Sequence, residues 1–89
     1  MVDPANPVDG VLVIYAHSRP GVLAKIANHF YRRALNIRTL TAGTTHTPEL
    51  SKIVVRVAGR RTELDRVAKA LDNLVDVLSV ELSDLASRL

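Results

Sequence analysis

The residues best suited to holding a ligand lie together in Ser18-Arg19-Pro20-Gly21-Val22-Leu23. An apolar run ends just before this segment and a helical pattern starts just after it, so the free N–H groups of a helix start fall here. Such groups attract carboxylates and phosphates. Gly21 serves either a ligand or second backbone that approaches closely, or a turn that needs a residue without a side chain. Asn36 opens a later strand pattern. Placed at the same edge of the sheet as the helix start, its amide would face that start and hold a polar ligand group. The local alternative is an Asn that caps a turn.

Other chemistry finds little support. His17, His29 and His46 fall at a strand end, in a helix and in a loop, and none has a second ligand three or four residues away, so no metal site is expected. The acidic residues sit mostly on one helix face or near the N-terminus, without the convergent acid, base or nucleophile of an enzyme. The absence of cysteine excludes disulfides, thiolate metal sites and cysteine nucleophiles, and is compatible with a reducing compartment.

Several elements must position that turn. Residues 1–10 contain two prolines and no periodic pattern, and are expected to form a flexible leader. Val11 to Ala16 is a short apolar run rich in β-branched residues, which predicts a buried strand. Val22, Leu23, Ile26, Ala27, Phe30 and Ala34 then recur at helical spacing, with Ser18 as the expected N-cap and Pro20 in the first turn. Arg32 and Arg33 fall in that helix's last turn, where cations complement the helix dipole by about 0.3 to 1 kcal/mol.

The segment 36–43 interleaves Thr and Arg with apolar residues, as a half-exposed or edge strand does. Leu50 to Val57 predicts a third strand, closed by Gly59-Arg60-Arg61 and paired with the second as a hairpin. Leu64, Val67, Ala68, Leu71 and Leu74 form the stripe of a second helix entered through Thr62, with Glu63 and Asp65 in its first turn. Residues 75–82 complete a fourth strand, and residues 83–89 are expected to be a short tail able to add a helical turn. The order β-α-β-β-α-β predicts a ferredoxin-like α+β domain over residues 11–82, a four-stranded antiparallel sheet with two helices on one face.

Composition sets the bounds. A hydrophobic fraction of 47% can fill one core in a chain of this length, which is marginal alone and gains from association. Twelve Lys and Arg against nine Asp and Glu give a net charge of +3, spread along the chain. Nucleic-acid binding through Arg32, Arg33, Arg38, Arg56, Arg60 and Arg61 is the competing class, because this topology also serves RNA-recognition modules. Those modules stack bases on exposed aromatics, whereas the third strand offers Ile53, Val55 and Val57. The N-terminus has neither a basic segment nor an apolar core of a signal peptide, so the expectation is a soluble cytoplasmic protein.

The words Arg19-Pro20-Gly21-Val22-Leu23 before a helix, followed by Asn36-Ile37, resemble the ACT domain, a family of amino-acid-sensing modules. Further along, 36–41, 47–52 and 74–80 are similar to the small regulatory subunits of acetohydroxyacid synthase (acetolactate synthase). The resemblance implies a non-catalytic subunit that activates a catalytic subunit and confers feedback inhibition by valine in branched-chain amino-acid biosynthesis. It implies no cofactor in this chain, the thiamine diphosphate, Mg and FAD belonging to the partner. It also implies a homodimer, with the effector between paired ACT domains against Ser18, Gly21, Val22, Leu23, Asn36 and Ile37, and Leu40 farther along the strand. Two departures stand out. The family often has Asn where this chain has Ser18, and many relatives carry a further C-terminal domain. An ACT sensor serving another enzyme is the alternative within the family.

Overall fold

A computed structural model describes residues 7–84 in the order β1 (Pro7–His17), α1 (Val22–Arg32), β2 (Asn36–Thr44), β3 (Leu50–Arg60), α2 (Arg61–Asp72) and β4 (Val77–Asp84). The strands form one antiparallel sheet in the order β2-β3-β1-β4, as expected for a ferredoxin-like α+β domain. Of the tail expected over residues 83–89, residues 85–89 lie outside the described residues, as do residues 1–6 of the leader.

Strand alternation sets the two faces of the sheet. Leu12, Ile14 and Ala16 of β1 and Ile53, Val55 and Val57 of β3 point inward and are buried. They meet Val22, Ile26 and Phe30 on α1 and Leu64, Val67 and Leu71 on α2, the helical stripes read from the sequence. Phe30 is fully buried, and truncating such a ring to Ala costs about 3 to 5 kcal/mol. The opposite sheet face carries Val11, Val13 and Tyr15 of β1 beside Lys52, Val54 and Arg56 of β3. The third-strand residues on the open face are therefore exposed Lys52 and Arg56 and half-buried Val54, and Ile53, Val55 and Val57 belong to the core.

The boundaries differ from expectation in ways that packing explains. Residues 7–10 are strand, not leader, because the inward alternation continues through Val8 and Gly10; a Cβ on Gly10 would lie only 3.2 Å from Leu64 Cδ1. Helix α1 stops at Arg32, because Ala34 adopts a left-handed φ of 54° that turns the chain and buries Leu35. Leu35 lies so close to Gly59 that a Cβ there would run into Leu35 Cδ2, which fits glycine at this strand position.

Strand β3 runs to Arg60 and passes directly into α2 at Arg61, so Thr62 is inside the helix. Helix α2 ends at Asp72, leaving Leu74 in a turn where the Val77 N–H donates to the Leu74 carbonyl at 3.1 Å. Strand β4 thus begins at Val77, two residues late, with Val75 90% exposed in the turn, and continues through Ser83 and Asp84 of the expected tail.

Candidate functional site

The β1–α1 turn is shaped by backbone. The Ser18 N–H donates to the Glu49 carbonyl at 2.7 Å, the Arg19 N–H to His17 O at 3.0 Å, and the Val22 N–H to Arg19 O at 3.2 Å. Gly21 is the N-cap of α1 with φ 84°, a left-handed conformation that a residue with a Cβ enters only at a cost. Nothing lies within 4 Å of where its Cβ would be, so the turn opens onto free space. The Lys25 N–H donates to Gly21 O at 3.0 Å, while among the described residues no acceptor takes the Leu23 or Ala24 N–H. These are the orphan donors of a helix start.

Ser18 does not cap the helix. Its Oγ lies 2.5 Å from Ser51 Oγ on β3, and the helix start has no side-chain cap. Pro20 likewise precedes the helix, which begins at Val22. Val22 is buried in the core, whereas Leu23, one residue on, is 42% exposed beside the open turn. The turn therefore offers a ligand N–H groups and one apolar side chain.

Asn36 is not at the same edge. Strands β1 and β2 both run antiparallel to β3 and hence parallel to each other. Asn36 pairs with Ala58, which pairs with Asp9 near the start of β1, while the turn follows His17 at its far end. The eight steps from Asp9 to His17, at about 3.3 Å each, put Asn36 about 26 Å from the turn along the sheet. Ser18, Gly21, Val22 and Leu23 are thus brought together, and Asn36 and Ile37 form a second group at the opposite end. Asn36 is exposed and Ile37 half-buried, as is Leu40 farther along β2. Strand β2 is an edge strand, exposed along nearly its whole length, with a bulge between Ile37 and Thr39.

An ionic cluster behind the turn escaped the sequence reading. Asp76 Oδ1 lies 3.5 Å from His17 Nδ1 and 3.4 Å from Arg19 NH1. The available signal was an acid inside the apolar run Leu74-Val75-Asp76-Val77-Leu78. A cavity of about 220 Å³ adjoins it, lined by Val22 and Lys25 of α1 and by the α2–β4 turn.

Of the arginines of the nucleic-acid reading, Arg33 and Arg60 line one cavity of about 390 Å³ with Glu63, and the others are spread over the fold. Arg32 and Arg33 end α1, Arg38 pairs with Asp9 at 3.2 Å, Arg56 lies on the open sheet face, and Arg60 and Arg61 join β3 to α2. Tyr15 is the one aromatic among the open-face residues of the two central strands. Burial holds the His29 imidazole below its ordinary value, and the guanidiniums of Arg32 and Arg33 push the same way. Among the described residues no cluster of three or more His, Cys, Asp or Glu is placed to hold a metal ion. No helix among them is long and apolar enough to cross a membrane.

Known proteins match this arrangement over most of the chain. The acetolactate synthase small subunit of Mycobacterium avium is 35% identical over 80 residues, covering 89% of this chain and 48% of that protein. A probable acetolactate synthase small subunit of Archaeoglobus fulgidus is 36% identical over 69 residues, 78% of this chain and 43% of the relative. The crystal structure of the acetolactate synthase small subunit from Thermotoga maritima superposes with a TM-score of 0.77 at 34% identity, covering 90% of this chain and 50% of that one. The chain thus spans about half the length of the relatives it matches. Residues 12–79 match the model of the AHAS small subunit-like ACT domain, and the chain belongs to that family.

Proposed function

We propose that this chain is the non-catalytic regulatory subunit of an acetohydroxyacid synthase, activating the catalytic subunit and making it sensitive to valine. In this reading it acts in the cytoplasm as a homodimer, and the thiamine diphosphate, Mg and FAD reside in its partner. The observation that carries the reading is the left-handed Gly21 turn, with open space above it and free Leu23 and Ala24 N–H groups. A ligand carboxylate placed there accepts from those N–H groups at the positive end of α1. Leu23 then meets the aliphatic side chain.

The other half of the site comes from a second copy. An exposed edge strand pairs readily with its own kind. When β2 pairs with β2 of a second copy about a two-fold axis, strand direction reverses across the interface. The start of one copy's β2, with Asn36 and Ile37, then lies at the sheet end that holds the other copy's turn. Asn36 bonds the polar end of the ligand and Ile37 contacts its branched chain. Ser18, held by Ser51, supports the turn rather than reaching the ligand.

The test mixes two variants, Gly21→Val and Asn36→Ala, each of which destroys both sites of its own homodimer. A mixed dimer keeps one intact site, built from the turn of one chain and the Asn36 of the other. Equal mixing puts half the dimers in the mixed form, so calorimetry should recover about a quarter of the wild-type valine capacity. Recovery of none places both halves within one chain and ends the shared-site reading. Synthase activity of the catalytic subunit, assayed with the wild-type chain across a valine titration, tests the partner. Unchanged activity would end the regulatory reading.

A further inference from the structure

Asp76 joins the β1–α1 turn to a different part of the molecule. The His17 N–H donates to the Asp76 carbonyl at 2.8 Å, fixing the backbones of the two segments together. The carboxylate then reaches both residues that lead into the turn, His17 at 3.5 Å and Arg19 at 3.4 Å. Its side chain is 18% exposed, whereas Arg19 is 66% exposed and comes in from solvent. Asp76 Oδ1 and His17 Nδ1 are both shut off from water, and neither has a hydrogen-bond partner. Charge-assisted N–H···O bonds close at about 2.7 to 2.9 Å, so all three groups stand one small movement short of bonding. A buried polar atom left in that condition is costly, and closing the gap is favourable.

Room for that movement exists. The cavity of about 220 Å³ separates the first turn of α1, at Val22 and Lys25, from the α2–β4 turn at 73–76. Among the described residues no backbone hydrogen bond joins those two walls. The polar links between the turns are therefore the His17 N–H to Asp76 carbonyl bond and the Asp76 side-chain triangle. Val75, next to Asp76, projects from the same turn at 90% exposure, where a partner protein can touch it.

We infer that Asp76 is the positioning residue of the effector turn. It sets the backbone of 18–23 through His17 and Arg19, and it carries a change in that backbone to Val75. The identity of the ligand rests on the function proposed above; the link itself does not. When a carboxylate orders the Leu23 and Ala24 N–H groups, Arg19 and His17 move with the turn, the triangle closes, and the α2–β4 turn follows.

The experiment uses the isotope-labelled full chain. Asp76→Asn keeps the shape and removes the charge, and should speed exchange of the hydrogen-bonded Ser18, Arg19 and Val22 amides by about three- to ten-fold. It should also move the ring nitrogen signals of His17. Arg19→Gln, at an exposed position that cannot unfold the chain, should do the same to the turn. The double variant should add little to either, because both break one link. Asp72→Asn, an exposed acid at the end of α2, should leave the turn unchanged. In the wild type, added valine should shift the Val75 amide, and in Asp76→Asn it should shift the turn alone. Unaltered exchange of those hydrogen-bonded amides, or fully additive single variants, would overturn the inference. A wild-type chain silent to valine would sink the proposed function instead, with the ligand-free arms still deciding the role of Asp76.

Discussion

Gly21 carries two separable demands, and a short substitution series pulls them apart. Its φ of 84° makes a Cβ expensive, while the empty space around it means that a Cβ meets no atom. The strain of holding Ala in the left-handed region is about 1 to 2 kcal/mol. Against it stands about 0.5 to 1 kcal/mol from the smaller freedom of Ala in the unfolded chain. Gly21→Ala should therefore lose up to about 1.5 kcal/mol, and at about 4 to 8 °C per kcal/mol for a domain of this size the melting temperature falls by up to about 12 °C. Asn tolerates the same conformation, so Gly21→Asn should melt closer to wild type. Thermal denaturation by circular dichroism at fixed protein concentration measures this arm. Valine titration measures the other: both variants fill the space above the turn, and both should lose binding regardless of stability. An Ala variant more stable than wild type would refute the strain argument. An Asn variant with undiminished affinity would show that the space above Gly21 is not the ligand's.

Two further outcomes follow from the end of α1. Ala34 sits at φ 54°, so Ala34→Gly should raise stability by about 0.5 to 1 kcal/mol, read as a higher denaturant midpoint at unchanged slope. His29 has a lowered pKa, from burial first and from Arg32 and Arg33 second, so the unfolded chain binds its proton more readily than the folded one. Stability from this residue is then complete above its ordinary value of 6.5 and declines as pH falls through the folded-state value. His29→Gln should flatten that part of the stability-against-pH curve, and an unchanged slope would assign the acid loss to other groups.

The elements were legible because their periods were clean. Ile26 and Phe30, Leu64, Val67 and Leu71, and the alternation of β3 all bury as their spacing demands. The ends were harder to read, since they depend on contacts distant in sequence. Gly10 looks like a turn residue, yet it is the small inward position that lets β1 pass under Leu64. Ser18 looks like a cap, yet its hydroxyl is taken by a residue 33 positions away. Val75 belongs to an apolar run by composition, but the Leu74–Val77 turn puts it in solvent. The position of Asn36 had a different cause. A helical crossover returns the chain to the end of the sheet where it began, so β1 and β2 start together, and a residue opening β2 cannot neighbour the end of β1. That follows from topology alone, without any knowledge of side chains.

In the proposed shared site, the distance of about 26 Å between the two groups of candidate residues would tie sensing to abundance. A lone chain would then own two half-sites and no whole one. On that proposal, ligand and self-association would strengthen one another by mass action: valine would draw chains into pairs, and pairing would raise the apparent affinity for valine. At low expression the response to a given amount of amino acid would fade because molecules seldom meet, not because any one of them binds badly. The cell's dosage of this protein is then as much a setting of the sensor as the chemistry of its turn.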